Sequence, residues 1–379
     1  MAVEPDAGRS ARVEWLQCRD FRGLAEAELA LAPGLTVLHG ENAQGKTSVL
    51  EAVGWVARAR SFRGVTDALL VRRGAESAIL RASVGAGERS QLFEAEIRVA
   101  GRNRVLCNSQ PVARARDLHG LLRVSVFAPD DVDLIKGGPS GRRDFLDDLL
   151  ASIAVRYDAA RSDFERVLRQ RNALLRSGVR DEEARSTLDV FDLQLATAAA
   201  EVIRGRLRLI DRLVPLVIQG YDALAGGPAE IGSVYVAEWA PDGLDPDGDL
   251  AGVLLEALAR TRRSEIDRGV SLVGPHRDEW RLTIGGFDTR AQASQGEQRT
   301  LALAMRLAGP RAVAELAGEV PVLLLDDVFS ELDPIRSAAL VRELPPGQTL
   351  LTTAGAVPEE VVPERRLRVH GGRVETVAG

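Results

Sequence analysis

Lysine is nearly absent from this chain: of its 49 Lys and Arg residues only Lys46 and Lys136 are lysine. A position that keeps lysine amid so much arginine asks for a compact ammonium rather than a broad planar guanidinium. Cysteine is as scarce. Cys18 and Cys107 stand far apart, and with four scattered histidines they give no zinc spacing. A disulfide-built secreted domain and a structural metal are therefore disfavoured, and a reducing cytoplasm is expected. No apolar run approaches the roughly 20 residues that span a bilayer, and the start MAVEPDAGRS has no hydrophobic signal segment. A cytoplasmic location without a membrane partner follows as the expectation. Excess positive charge is missing too. The formal net charge of −6 weighs against a general polyanion binder, but it leaves local Arg clusters in play. These are Arg58, Arg60 and Arg63; Arg72 and Arg73; Arg142 and Arg143; Arg204, Arg206 and Arg208; Arg260, Arg262 and Arg263.

What is present begins with Gly40-Glu41-Asn42-Ala43-Gln44-Gly45-Lys46-Thr47, followed by Ser48. The spacing Gly-x-x-x-x-Gly-Lys-Thr is that of a phosphate-binding loop. One of the two lysines falls where an ammonium must reach along a triphosphate. Leu35 to Leu38 reads as a short buried strand, and Val49, Leu50, Val53, Val56 and Ala57 recur at helical spacing. The loop thus joins a strand to a helix, the geometry that points backbone N–H groups and the positive end of a helix at phosphate. ATP is the expected cofactor, with Thr47 placing a hydroxyl on Mg²⁺.

Near the other terminus Val322 to Leu325 is an unbroken apolar run ending in Asp326 and Asp327. A buried parallel strand delivers carboxylates in this way to its C-terminal edge, where ligands sit in open α/β sheets. Asp326 is the candidate Mg²⁺ ligand and Asp327 the group that orients or deprotonates an attacking water. Between these halves, apolar residues from Phe145 to Val167 and again from Leu188 to Val202 describe two helices of about 30 residues, about 45 Å each, folded back on one another. They are separated near Ser177 and Gly178, and Pro215 and Gly220 close the second. A strand-like run, Ser233 to Trp239, and a helix, Leu250 to Arg268, follow. The expected architecture is an α/β head built from both chain ends, residues 1–130 and 268–379, interrupted by a helical arm at residues 131–267.

Ser294-Gln295-Gly296-Glu297-Gln298 precedes a helical pattern. Ser294 and Glu297 have the spacing of a capping box, which needs no ligand. A serine and glycine at a helix start, upstream of the acidic strand in a phosphate-loop protein, also match the signature turn of ABC-type ATPases. In those proteins that turn binds the γ-phosphate held by a second subunit. Ser330-Glu331-Leu332-Asp333 then takes the place of the D-loop.

The resemblance narrows along most of the chain. Asp20-Phe21-Arg22, the phosphate loop with Leu50-Glu51-Ala52, Arg60-Ser61-Phe62-Arg63, Phe127-Ala128-Pro129-Asp130, Gly141 to Asp147, Gly274-Pro275-His276-Arg277-Asp278, Ser294 to Gln298 and LLLDDVFSELD from Leu323 to Asp333 together resemble the RecF family, relatives of SMC and Rad50 heads. The resemblance implies an ABC-type ATPase that hydrolyses ATP slowly, as a DNA-stimulated switch. Asp326 would hold Mg²⁺, and Asp327 would replace the glutamate of transporters. Ser294, Gln295, Gly296, Glu297 and Gln298 would act in trans within an ATP-dependent homodimer. It further implies sequence-nonspecific binding of duplex DNA and of junctions with single strands, partners of the RecR and RecO type, and a role in loading RecA. Arg22 and Arg63 become candidate phosphate contacts, and Asp130 the start of a link between nucleotide state and arm. The chain departs from the pattern at three points: no switch histidine follows Thr349 to Thr353, Ser48 replaces an asparagine, and Glu279 replaces an aspartate. An SMC-type structural head predicts far longer heptad runs. A non-hydrolysing interaction module that keeps ATP as a structural ligand is the other rival.

Overall fold

A computed structural model describes residues 10–87, 89–112, 118, 121–240, 243–330, 332–355, 357 and 361–377. The chain divides into two compact units, one of Met1–Asp131, Gln219–Pro228 and Leu303–Gly379, the other of Val132–Ile218 and Ala229–Ala302. The first contains residues from both chain ends. Residues 268–302, expected with the head, group with the second unit.

The first unit holds two sheets. One is antiparallel and contains β1 (Arg12–Phe21), β2 (Leu24–Ala30), β4 (Ser77–Ala86), β5 (Arg89–Arg98), β6 (Arg104–Cys107) and β7 (Gln110–Pro111), in the order β2-β1-β4-β5-β6-β7. Its strands alternate. Leu80 and Ala82 are buried while Arg81 between them is exposed, as a half-covered sheet requires. The other sheet runs β15-β14-β3-β13-β12-β8, from β3 (Leu35–His39), β8 (Val124–Phe127), β12 (Val322–Asp326), β13 (Thr349–Thr353), β14 (Arg365–His370) and β15 (Arg373–Val377). It is parallel except for the antiparallel hairpin β14–β15. Every residue of β12 and β13 is buried, which explains the unbroken apolar run Val322 to Leu325, while the threonines of β13 are buried polar groups.

Helix α1 (Lys46–Arg58) packs against strands of both sheets. Val49 to Ala57 is buried without interruption, so α1 is covered on all sides, unlike the one-faced helix its apolar spacing suggests. A single apolar cluster joins Leu50, Val53 and Val56 to Leu16, Leu80 and Phe93 on one side and Leu324, Leu350 and Leu367 on the other. Helix α8 (Pro334–Glu343) completes this unit, capped by Asp333, which accepts from the N–H of Arg336.

The second unit contains α2 (Asp133–Lys136), α3 (Pro139–Ile153), α4 (Val155–Ser177), most of α5 (Glu182–Ala225), α6 (Leu250–Arg268) and a small sheet in the order β11-β10-β9, from β9 (Ile231–Val236), β10 (Glu279–Ile284) and β11 (Phe287–Asp288). The expected first long helix is two, α3 and α4, because Ala154 is extended at φ −141° and ψ 111°. The second runs through Pro215, which forfeits one N–H without ending the helix, and continues to Ala225. At Gly220 it lies against Ala304 of α7 (Gln295–Ala317), close enough that an added Cβ would touch that residue at ordinary contact distance, 3.5 Å from its Cα.

Buried ion pairs hold this unit together. Arg206 grips Asp147 through two hydrogen bonds of 2.7 and 2.9 Å. Tyr157 donates to Asp147, while Asp278 accepts from Tyr235 and Trp239 at 2.7 Å each. Arg171 pairs with Asp192 and Glu265. Arg142 donates to Glu279 at 2.7 Å, so the departure from aspartate at that position still supplies a carboxylate. The stretches Gly141 to Asp147 and Gly274 to Asp278 therefore build this polar core. Residue 268–302 belongs with it because β10 pairs with β9 and Asp278 is bound from β9 and Trp239. Among the described residues no helix is long and apolar enough to cross a membrane.

Candidate nucleotide site

Strand β3 ends at His39 and the phosphate loop turns immediately into α1. Gly45 sits at φ 108°, a conformation that favours glycine, and a Cβ on Gly40 would overlap the carbonyl of Val369. The start of α1 has no side-chain cap and no acidic residue in its first turn, whereas α6 and α8 are capped by Asp249 and Asp333. Its first N–H groups thus remain to meet an anion, and the helix dipole favours one there. The Lys46 ammonium donates to the carbonyls of Gly40 and Glu41 at 2.7 and 2.8 Å, folding back across the loop. Burial lowers its proton affinity, opposed by the negative charge of Asp327 and then Asp326. Both acids therefore act on the lysine although about 280 residues separate them in sequence.

The Thr47 hydroxyl donates to Asp326, its oxygen lying 2.8 and 3.0 Å from the two carboxylate oxygens. A hydroxyl and a carboxylate held this close form the hard oxygen pair that Mg²⁺ takes from protein, with phosphate and water completing its shell. These residues fit ATP and Mg²⁺. Asp326 is buried in β12, and Thr352 on the neighbouring β13 donates its hydroxyl to it at 2.8 Å. Asp327 lies just beyond the strand at φ 49°, a left-handed conformation costly for a residue with a Cβ. Its N–H is held by the Thr352 hydroxyl oxygen at 3.0 Å and the Thr352 carbonyl at 3.2 Å. Thr352 therefore fixes both acids. Sequence inspection missed it, although a pair of threonines ending an apolar strand is a readable sign.

The other candidates divide. Gln44 of the loop accepts from the N–H of Gly371 at 2.7 Å, and Ser48 lies in the first turn of α1. Glu41, Asn42 and Ala43 are exposed, Ala43 with φ 64°. Arg22 is committed elsewhere: it forks onto the buried Glu51 at 2.7 and 2.8 Å, which favours an ion-pair role over a phosphate contact. Arg63 is exposed. Thr353, nearest to the place of the switch histidine, is buried and bonded within its own turn to Gly355.

At the start of α7 the capping box is formed. The N–H of Ser294 donates to Glu297 at 2.7 Å, and the N–H of Glu297 donates to the Ser294 hydroxyl oxygen at 3.3 Å. The cap uses that oxygen as an acceptor, and a hydroxyl can donate as well as accept, so capping and phosphate binding are compatible. Gln295 and Ser294 are exposed and Gly296 is half-buried. Gln298 turns inward instead. It is buried, and its amide donates to the carbonyls of Thr289 and Arg290, so its side chain braces the preceding loop rather than facing a second subunit. Glu331 of the D-loop lies outside the described residues, as do His119 and the side chain of Asp130.

The Arg clusters of the second unit also differ from expectation. Arg142 and Arg206 are buried, Arg208 pairs with Asp247, and Arg262 pairs with Asp189. Arginine there is largely structural. Arg60, Arg63, Arg72 and Arg73 of the first unit are exposed.

Residues 12–350 match the family model described as RecF/RecN/SMC N terminal domain. A protein of Streptomyces avermitilis named "DNA replication and repair protein RecF" is 44% identical over 375 residues, covering 96% of this chain and all of that one. The chain belongs to the RecF family. A second RecF, from Frankia alni, is also 44% identical, over 93% of this chain and 96% of its own. A solved structure described as the recombination mediator protein RecF with ATP in the RecFOR pathway has a TM-score of 0.90 at 27% identity, covering 98% of each chain. An SMC head from Pyrococcus furiosus shares the fold at a TM-score of 0.57 and 16% identity, covering 97% of this chain and 96% of that one. The chain thus has the ABC-type ATPase head fold with a phosphate loop.

Proposed function

We propose that this RecF chain is an ATP-gated DNA clamp, a recombination mediator whose two copies close around shared nucleotide and hold duplex DNA at single-strand gaps. The observation that carries the reading is the assembly, from opposite ends of the chain, of Thr47, Asp326, Thr352 and Asp327 into one bonded group beside Lys46 at an uncapped helix start. Relatives named for DNA replication and repair, and a relative solved with ATP, support the biological side.

In this mechanism Lys46 exchanges its two loop carbonyls for phosphate oxygens, and the N–H groups of α1 cradle the rest of the polyphosphate. Thr47 and Asp326 would hold Mg²⁺. When bound, that ion neutralises charge building on the phosphoryl oxygens. Asp327 orients the attacking water. Its carboxylate is one methylene shorter than the glutamate of transporters, which suits slow turnover used as a switch. The Ser294 hydroxyl of a second copy donates to the γ-phosphate, so the ligand bridges two chains in a twofold arrangement. DNA contacts are to backbone phosphates, insensitive to sequence and weakened by salt. Hydrolysis reopens the dimer and releases DNA. RecR- and RecO-type proteins would then act with it in loading RecA.

Sedimentation of the chain with and without ATP and Mg²⁺, and with duplex, gapped or no DNA, tests this directly. Association that needs nucleotide, and DNA retention that needs association, are the expected pattern. DNA binding that ignores nucleotide would refute it.

A further inference from the structure

The outer face of the β14–β15 hairpin is rich in positive charge. Along β14, Arg366, Arg368 and His370 point outward while Leu367 and Val369 enter the core. Register places Arg373 opposite His370 and Glu375 opposite Arg368 on β15, and His39 of β3 beside Arg368 on the other side. Among the described residues no ion pair joins Arg366, Arg368 or Arg373 to a carboxylate. Within the hairpin itself, among the described residues, Glu375 is the acidic one on this face. His39 reports the imbalance: its proton affinity is lowered first by burial, then by the charges of Arg368 and Arg366. Arg206, Arg208 and Arg262 of the second unit, by contrast, each pair with a carboxylate.

The hairpin is also fastened to the phosphate loop. The N–H of Gly371 donates to Gln44 at 2.7 Å, and the Val369 carbonyl occupies the space that glycine leaves at position 40. A simpler account is that β15 is an edge strand and charge keeps it from pairing with other chains. Either sign of charge does that. A cationic face in a chain with net charge −6 asks for an anion of many charges. Guanidinium groups on alternate residues, roughly 6.6 Å apart along a strand, can follow successive phosphates of a nucleic-acid backbone.

We propose that the face formed by Arg366, Arg368, His370 and Arg373 is a contact surface for the duplex-DNA backbone, attached to the nucleotide loop through Gln44. This rests on the DNA-binding reading above and specifies which side chains perform it. Binding of phosphate at this face and of ATP at the loop would then share one mechanical element.

The test uses the intact chain with ATP and Mg²⁺ and a short fluorescent duplex, titrated over a salt series. Arg366→Glu with Arg368→Glu is compared with Arg166→Glu and Arg208→Glu, a pair of solvated positions with the same change in net charge. Charge reversal preserves edge protection, so a loss in the first variant speaks to phosphate contact alone. The expected result is at least a tenfold loss of affinity and a log–log salt slope shallower by about 2, near 0.9 per lost contact. The control pair should change neither by much. A slope and affinity equal to the control would overturn the proposal, whether the face serves an acidic protein or nothing. Loss of ATP-dependent association in the variant would overturn it too, by assigning the face to the dimer. Absence of duplex binding by the unaltered chain would instead remove the clamp reading on which it stands.

Discussion

Thr352→Val replaces a hydroxyl by a methyl of nearly equal size at a fully buried position, leaving packing almost unchanged. Two hydrogen bonds disappear, the donor to Asp326 at 2.8 Å and the acceptor for the N–H of Asp327 at 3.0 Å. Leaving a buried partner short costs about 1–3 kcal/mol. The N–H of Asp327, whose left-handed backbone itself costs about 1–2 kcal/mol, would then be held only by the Thr352 carbonyl. Melting temperature should fall by several degrees. Turnover should fall roughly tenfold to a hundredfold, because misplacement of a reacting group by about 1 Å has that effect. ATP affinity without Mg²⁺ should hold, since Lys46 and the N–H groups of α1 do not depend on Thr352. Thr352→Ser restores the hydroxyl and should recover most of the turnover. Thermal melting, ATP binding with and without Mg²⁺, and steady-state hydrolysis measure these effects separately. A valine variant with wild-type turnover and melting would refute the positioning argument.

Lys46→Arg should abolish ATP-dependent association, as read by sedimentation, because a guanidinium does not fit the loop that Gly40 and Glu41 close around the ammonium. Asp327→Asn should keep ATP binding and trap the associated state, so rapid turnover in that variant would remove its catalytic role. Ser294→Asp separates two duties: aspartate caps a helix as well as serine does, so melting should hold while association fails from repulsion of phosphate. Asp278→Asn should unmask acid sensitivity. Burial pushes the Asp278 carboxyl up to about 6, so this group alone adds stability as pH falls through that value toward the ordinary 3.8. Burial pushes His276 down to about 4 from 6.5, so its contribution is lost over nearly the same interval. Denaturant midpoints should change little between pH 6.5 and pH 4 from this pair in the wild type, and should fall with pH in the variant.

The nucleotide site was legible because its parts are local: a loop with fixed glycine spacing, and an apolar run ending in two aspartates. What joins them was not. Thr352 acts from β13 on the end of β12, and Gly371 clasps Gln44 from 327 positions away, contacts that only the order of the strands creates. Arginine misled for a related reason. Sequence clusters such as Arg204, Arg206 and Arg208 scatter on folding, Arg206 into the core against Asp147 and Arg208 outward to Asp247. Burial separates them, and burial of a charge depends on a distant partner. Pro215 misled because one missing N–H near the end of a well-packed helix costs less than the contacts beyond it contribute.

The most direct test of nucleotide shared between two copies mixes two inactive chains, Lys46→Arg and Ser294→Asp. A twofold pair of one of each contains one site with both defects and one with neither. The account predicts that mixing restores ATP-dependent association and about half of the hydrolysis per pair. Two chains that stay inactive together, while each remains folded, would contradict it.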